Sequence, residues 1–338
     1  MDNILLKKIL TEYEAKRNQA IQDAEYRKEQ LISTNPELSR IEKELSDISI
    51  ETAKLVLKSD SEERQKMLAS LKRDSNKLIK EKNAFIKQLS KESNFLQPKF
   101  ECKICKDTGF IEKDGKNQMC SCLTQRLYDA TYNKSNMGNL ERENFETFNL
   151  IHFSDKPNKE QYHSDISPRE NMQLLREKAK NFIDNFEDPN EKNLIFIGST
   201  GTGKTFLSNC IAKELLSKGK TVLYQTAPVM FDNIINAKFG RENSDKEMPD
   251  EVLNCDLLII DDLGTENTNQ IIATELFTII NTRLLNQNHK ITKTIISTNL
   301  DPNQLNQIYS SRIASRLAGN YRFLRFFGED QRYKRNKN

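Results

Sequence analysis

The 338-residue sequence contains no apolar run approaching the ~20 residues that a bilayer-spanning helix requires. Its opening, Met1 to Lys8, lacks the apolar core and small-residue cleavage site of a secretory signal, so the cytosol is the expected compartment. Glycine is absent before Gly109, and residues 1–97 hold a single proline, Pro36. That leaves few breakers in a stretch rich in Lys, Glu, Ser and Leu, which is the composition of long helices. Neither sign of charge dominates: 52 Lys and Arg stand against 49 Asp and Glu, a formal net charge of +3, so the chain is not globally basic. The three histidines, His152, His163 and His289, have no ligand spacing with one another or with the cysteines and receive no role.

What is present falls into three regions. In the first, Leu38, Ile41, Leu45 and Ile48 follow a 3-4-3 spacing. A second register runs through Leu68, Leu71, Ser75, Leu78, Lys82, Phe85 and Leu89, with polar residues at two of its core positions. Both predict a helical hairpin or short coiled coil, broken near Asn35-Pro36 and Ser59-Asp60-Ser61. The stripes serve packing between helices; the domain as a whole suits docking to a partner protein.

In the second region four of the six cysteines fall between positions 102 and 122, as Cys102-Lys-Ile-Cys105 and Cys120-Ser-Cys122. Asp107-Thr-Gly109 reads as a turn and Asp114-Gly115 as a hairpin. Thiol pairs brought together across a hairpin make a tetrahedral S₄ zinc site, closed and therefore structural. In a cytosolic chain metal is favoured over a disulfide. Cys210 and Cys255 read as small core residues.

The third region holds Gly198-Ser199-Thr200-Gly201-Thr202-Gly203-Lys204-Thr205, which fits G-x-x-x-x-G-K-[ST] at every fixed position. Glycines let the backbone wrap phosphate oxygens, and N–H groups at a helix N-terminus supply partial positive charge. Lys204 would reach the β/γ-phosphates and the Thr205 hydroxyl would ligate Mg²⁺. The flanks agree, with an apolar strand over 193–197 before the loop and a helix over 205–218, capped by Gly219, after it. Ser167-Pro168-Arg-Glu170 is a capping box opening a helix to about Phe186. Strands are expected at 221–226, 256–260 and 293–298, and helices at about 228–238 and 269–287. This alternation predicts a parallel α/β sheet with helices on both faces and ligand at the strand C-terminal ends.

Leu257-Leu-Ile-Ile260-Asp261-Asp262 is an apolar strand ending in two acids. Asp261 would hold the magnesium hydration shell and Asp262 would polarise an attacking water. Thr294 to Thr298 is a buried strand ending at Asn299, which can contact a γ-phosphate or water, or can simply begin a turn. Arg312 and Arg316 share one helical face, suited to a phosphate contact or to solvent-facing ion pairs. From Arg312 onward basic residues, including Arg322, Arg325, Arg332, Lys334, Arg335 and Lys337, outnumber Glu329 and Asp330. Such an end meets nucleic acid or nucleotide phosphate, or is a solvated basic tail.

The order of these parts resembles the replicative helicase loaders of the DnaC/DnaI type, AAA+ ATPases related to initiator proteins. The resemblance covers nearly the whole chain. It rests on Gly198 to Thr205, on Leu257-Leu-Ile-Ile-Asp-Asp-Leu-Gly-Thr-Glu266, on Ser297-Thr-Asn299, on Ser311-Arg-Ile-Ala-Ser-Arg-Leu317, on Phe327-Gly-Glu-Asp-Gln-Arg332 and on the cysteine cluster. It implies that Lys204 and Thr205 bind phosphate and Mg²⁺, and that Asp261 and Asp262 are the magnesium and water-activating acids. It further implies that Asn299 is a first sensor, Arg316 an arginine finger entering a neighbouring subunit with Arg312 beside it, and Arg332 a second sensor in its own subunit. Many AAA+ proteins carry Glu where Asp262 stands, and the shorter acid bears on the hydrolysis rate.

The implied organisation is a helical helicase-docking domain over 1–97, a Cys₄ zinc module over 98–125, a lead-in over 126–166, an AAA+ ATPase domain over 167–333 and a basic tail over 334–338. The implied activity, with ATP, Mg²⁺ and Zn²⁺, is to deliver a hexameric replicative helicase to single-stranded DNA, the AAA+ domains self-associating so that hydrolysis depends on assembly. Two alternatives share the core: a transposition helper ATPase of the IstB type, and a zinc-bearing adaptor using ATP as a switch. The zinc cluster and long helical N-terminus favour the loader.

Overall fold

The protein is described by a computed structural model covering residues 3–57, 62–89, 95–113, 115–131, 139–239, 249–286 and 290–332. The expected break at Ser59-Asp60-Ser61, Asp114, His289 and the basic residues from Lys334 onward lie outside the described residues. The chain divides into two compact units, Met1–Gln118 and Met119–Asn338.

Among the described residues the first unit holds three long helices, α1 (Asn3–Thr34), α2 (Pro36–Val56) and α3 (Glu62–Leu89). Asn35 separates α1 from α2 in an extended conformation, with Pro36 at the first helical position, where its missing N–H is not needed. Both expected stripes face inward. Leu38 and Ile41 are buried with Leu45 and Ile48 half-buried, and Leu68, Leu71, Ser75, Leu78, Lys82 and Phe85 are half-buried on α3, as are Arg64 and Ile86; the side chain of Leu89, the last of that register, lies outside the described residues. Lys82, polar at a core position, is accommodated by an ion pair with Glu42 at 2.5 Å. Strand β1 (Phe110–Lys113) pairs with β2 (Lys116–Met119) in a two-stranded sheet, and Gly115 supplies the turn with φ +70°.

The second unit contains α4 (Ser121–Thr131), α5 (Lys159–Tyr162), α6 (Pro168–Asp184), β3 (Asn193–Gly198), α7 (Lys204–Ser217), β4 (Val222–Thr226), α8 (Ala227–Phe239), α9 (Asp250–Asn254), β5 (Leu257–Leu263), α10 (Gln270–Asn286), β6 (Lys293–Thr298), α11 (Pro302–Tyr309), α12 (Ser311–Asn320) and β7 (Tyr321–Phe326). The five long strands form one parallel sheet in the order β4-β5-β6-β3-β7. Alternate side chains serve opposite faces. Leu194, Phe196, Leu257, Ile259 and Ile295 pack with α6 and α7, whereas Ile195, Leu258, Ile260 and Ile296 pack with α8, α10 and α12. Burial on both faces explains why these strands read as continuous apolar runs.

The capping box is formed: the Ser167 side chain accepts the Glu170 amide, and Glu170 accepts the Ser167 amide. Gly219, at φ +78°, ends α7, and the Lys220 amide donates to Leu215 O. The fifth strand, β7, is a difference from the sequence expectation. Tyr321-Arg-Phe-Leu-Arg-Phe326 interleaves arginines with apolar residues and so lacks a continuous run; as an edge strand it keeps Arg322 partly exposed and Phe323 and Arg325 turned outward while Tyr321, Leu324 and Phe326 are buried.

Candidate nucleotide-binding site

The loop from Ser199 to Gly203 joins the C-terminal end of β3 to α7. Gly201 and Gly203 have φ of +74° and +98°, conformations that an L side chain rarely adopts. Approach is also tight: a Cβ on Gly198 would lie 2.1 Å from Phe326 O, and one on Gly201 would lie 1.9 Å from an Asp330 carboxylate oxygen. Thr202 braces the loop by donating to Ser199 O at 2.7 Å, while Ser199 and Thr200 are exposed along it.

Lys204 turns its ammonium back into the loop, donating to Gly198 O at 2.7 Å, Ser199 O at 2.9 Å and Asn299 Oδ1 at 2.7 Å. Burial pushes its pKa down, opposed by the charges of Asp262 and Asp261. Asp261 is almost fully buried at the end of β5. One of its oxygens accepts the hydroxyls of Thr205 at 3.1 Å and Tyr224 at 2.5 Å; the other accepts the Ser297 hydroxyl and the Asp262 amide. Asp262 is half-buried at φ +55°, and its carboxyl is pushed up by burial and by the neighbouring Asp261 charge. The strand thus bulges between Ile260 and Leu263, where its register against β6 shifts.

A cavity of about 290 Å³ opens at this end of the sheet, near the lower end of small-molecule sites. Thr200, Gly201, Gly203, Lys204, Thr205, Asp262 and Arg332 line one side; Phe148, Asn149, His152, Phe153 and Met172 line another. The glycine cradle, the helix N-terminus and the adjoining apolar chamber fit a nucleotide. Arg332 is held by Asp330, its guanidinium donating to both carboxylate oxygens at 3.1 and 2.9 Å.

The structure therefore brings together Gly198 to Thr205, Asp261, Asp262, Asn299 and Arg332. It does not bring Arg312 or Arg316 to the cavity: both are exposed on α12 and line no part of it. Sequence reasoning missed the wall contributed by Glu143 to Phe153. The apolar residues Phe145, Phe148, Leu150, Ile151 and Phe153 interleaved with polar ones were the signal there, and His152, given no role by spacing, faces the cavity. It also missed that the hydroxyls of Tyr224 and Ser297 reach Asp261 from the neighbouring strands, although both strands were expected and Ser297 stood in the Ser297-Thr-Asn299 motif.

Elsewhere, Cys102, Cys105, Cys120 and Cys122 place their four sulfurs within 4.8 Å of one another. The Asp107 carboxylate accepts the amides of Glu101 and Cys102 at 2.9 and 2.7 Å, folding the first pair into a tight knuckle. The Gly109 amide donates to Cys105 Sγ at 3.4 Å, the sort of outer hydrogen bond that orients a metal-binding thiolate. The donor set fits zinc.

A parallel sheet in this order, a phosphate loop after its first strand, an acidic end on β5 and a polar end on β6 define a P-loop ATP-binding domain of the AAA+ class. A profile of the IstB-like ATP binding protein family matches residues 142–333, and the chain belongs to that family. Among curated relatives, the replicative helicase loader DnaC of Escherichia coli (strain K12) is 32% identical over 93 residues, covering 28% of this chain and 38% of the relative. DnaC of Buchnera aphidicola subsp. Baizongia pistaciae is 30% identical over 158 residues, covering 46% and 62%. The chain thus spans less than two thirds of either relative. A solved structure of the DnaC helicase loader superposes with a TM-score of 0.41 and 24% identity over 56% of this chain and 99% of that one. Among the described residues no helix is long and apolar enough to cross a membrane.

Proposed function

We propose that this chain is an ATP-dependent loader that binds the hexameric replicative DNA helicase and delivers it to single-stranded DNA in the cytosol. The observation that carries the reading is the 30% identity over 158 residues to a relative named replicative helicase loader. The family's ATP binding and the assembled parts of an ATPase site support it.

In this reading Gly198, Ser199, Thr200, Gly201, Thr202 and Gly203 surround the phosphates with backbone amides, and Lys204 exchanges its carbonyl partners for phosphate oxygens. When bound, ATP and Mg²⁺ supply the phosphoanhydride and the charge that offsets its cleavage. Thr205 and Asp261 would hold the metal, and Tyr224 and Ser297 keep Asp261 oriented. Asp262 would take the proton of the attacking water and Asn299 would position that water, while Arg332, now held by Asp330, would contact the nucleotide. Arg316, with Arg312 beside it, serves a neighbouring copy, which suits arginines exposed on a helix rather than aimed into their own cavity. The domains 1–97, 98–125, 126–166, 167–333 and 334–338 then act as helicase dock, zinc module, lead-in, motor and basic tail.

The test is co-purification with the host's own replicative helicase by size-exclusion chromatography, with and without ATP. A complex is expected, and its absence in both states rejects the loader. The matching profile's name favours a second reading, an IstB-like transposition helper. That reading expects duplex DNA and a transposase, rather than the helicase, to co-elute. A zinc-bearing adaptor using ATP only as a switch would retain function in Asp262→Asn, whereas a loader driven by hydrolysis would lose it.

A further inference from the structure

The residues after the acidic pair, Leu263-Gly264-Thr265-Glu266, have no part in nucleotide binding as described above, yet they carry unusual local constraint. Asp262 is strained in the left-handed region at φ +55°. The turn that holds it folds back on Asp262 O, which accepts the Thr265 amide at 3.2 Å and hydroxyl at 2.8 Å. Gly264, at φ +101°, has no room for a side chain, since a Cβ would lie 2.5 Å from Leu300 Cδ1. Its amide donates to one oxygen of Glu266 at 2.9 Å.

The other Glu266 oxygen accepts the hydroxyl of Tyr309. Glu266 is 8% exposed and Tyr309 is fully buried. Among the described residues no cation pairs with this carboxylate; it lies between an amide and a phenol. A carboxylate is costly to bury on neutral donors, and a turn does not by itself require one. Tyr309 is the last residue of α11. The next residue, Ser310, at φ +99°, opens α12, which carries Arg312 and Arg316.

We propose that Glu266 and Tyr309 are positioning residues whose hydrogen bond locks the Asp262 turn to the start of the arginine helix. The acid facing the nucleotide and the arginines offered to a neighbouring copy then move as one unit. A nucleotide that shifts Asp262 shifts α12 with it, and a neighbour that seats Arg316 steadies Asp262 in return. The proposal rests on the reading of Arg316 as a residue acting in a neighbouring site.

Tyr309→Phe keeps the ring and its packing and removes the hydroxyl; Glu266→Gln keeps the shape and removes the charge. ATP affinity is expected to stay within about twofold of the parent while turnover at saturating ATP falls roughly tenfold or more, the signature of misplacement rather than lost binding. Turnover that is unchanged in both variants, or that falls only in step with affinity, overturns the proposal. Subunit mixing then reads each end of the tie. Asp262→Asn and Arg316→Ala chains, inactive alone, should recover turnover together, because one offers its arginine and the other its acid. Adding Tyr309→Phe to the Asp262→Asn chain should lower that recovered turnover by roughly tenfold, although this chain contributes only arginines. No loss there overturns the coupling to α12. If mixing recovers nothing, it is the neighbouring-arginine reading that fails. The tie to Asp262 is then decided by the single variants alone, loss of turnover at unchanged affinity retaining it and unchanged turnover rejecting it.

Discussion

Lys204 and Asn299 meet at 2.7 Å, joining the helix after β3 to the end of β6. The lysine of the phosphate loop is therefore already held by a neutral carboxamide and two carbonyls, all of which it can exchange for phosphate. Asn299→Asp would place a full negative charge on the same bond and compete with the nucleotide. ATP affinity, read by titration with a fluorescent analogue, is expected to fall roughly tenfold in Asn299→Asp, a shift of about 1.4 kcal/mol. Asn299→Ala should bind ATP within about threefold of the parent yet hydrolyse it more slowly. Equal binding by the Asp and Ala variants would contradict this role.

Gly201 and Asp330 are in contact where the C-terminal segment crosses the phosphate loop, and the Gln331 amide donates to Gly201 O at 3.0 Å. Gly201→Ala should displace that segment and weaken ATP binding. Adding Asp330→Ala should relieve the collision but not the backbone strain of about 1–2 kcal/mol that an L residue meets at this φ. The expected order of affinities is parent, then the double variant, then Gly201→Ala.

The four sulfurs within 4.8 Å of one another point to one zinc ion. Metal analysis of protein purified without chelator should find about one equivalent, and Cys105→Ser should lower it sharply while leaving nucleotide affinity unchanged. Less than about half an equivalent in the parent would remove the S₄ proposal.

Asp256 ties the starts of β4 and β5 together. Burial alone would raise its carboxyl. The amide and hydroxyl of Thr221, both at 2.7 Å, and the ammonium of Lys290 at 3.0 Å instead hold it below the usual carboxylate value. A depressed native value adds stability that is present above the ordinary carboxylate range and is lost as pH falls through the depressed one. Asp256→Asn should therefore cost about 2 kcal/mol in chemical denaturation at neutral pH. The difference should persist down to the ordinary carboxylate range and shrink as pH falls further, through the depressed value. A pH-independent difference would refute the linkage.

Much of the molecule was legible in the sequence because its signals are local. A glycine-rich loop between an apolar run and a helical spacing has few other physical uses, so Gly198 to Thr205, Asp261 and Asp262 could be singled out as candidates before the fold was known, and the structure brings them together at one end of the sheet. The helical stripes of α2 and α3 and the Ser167 capping box depend on neighbours three and four residues away, and they appear as expected. Strand β7 was not legible, because an edge strand with arginines on its outward face has no apolar run to betray it.

By itself, then, the sequence determined which side chains could bind phosphate, metal and water, since residue type and short-range spacing settle that chemistry. Tertiary structure alone decided which of them meet. Tyr224 and Ser297 reach Asp261 from other strands, and Glu143 to Phe153 wall the cavity from a segment without a motif. Tyr309 lies 43 positions from Glu266 and bonds to it in a buried pocket. Contacts of that kind depend on how a parallel sheet orders its strands, a property of packing over the whole domain that no local pattern encodes.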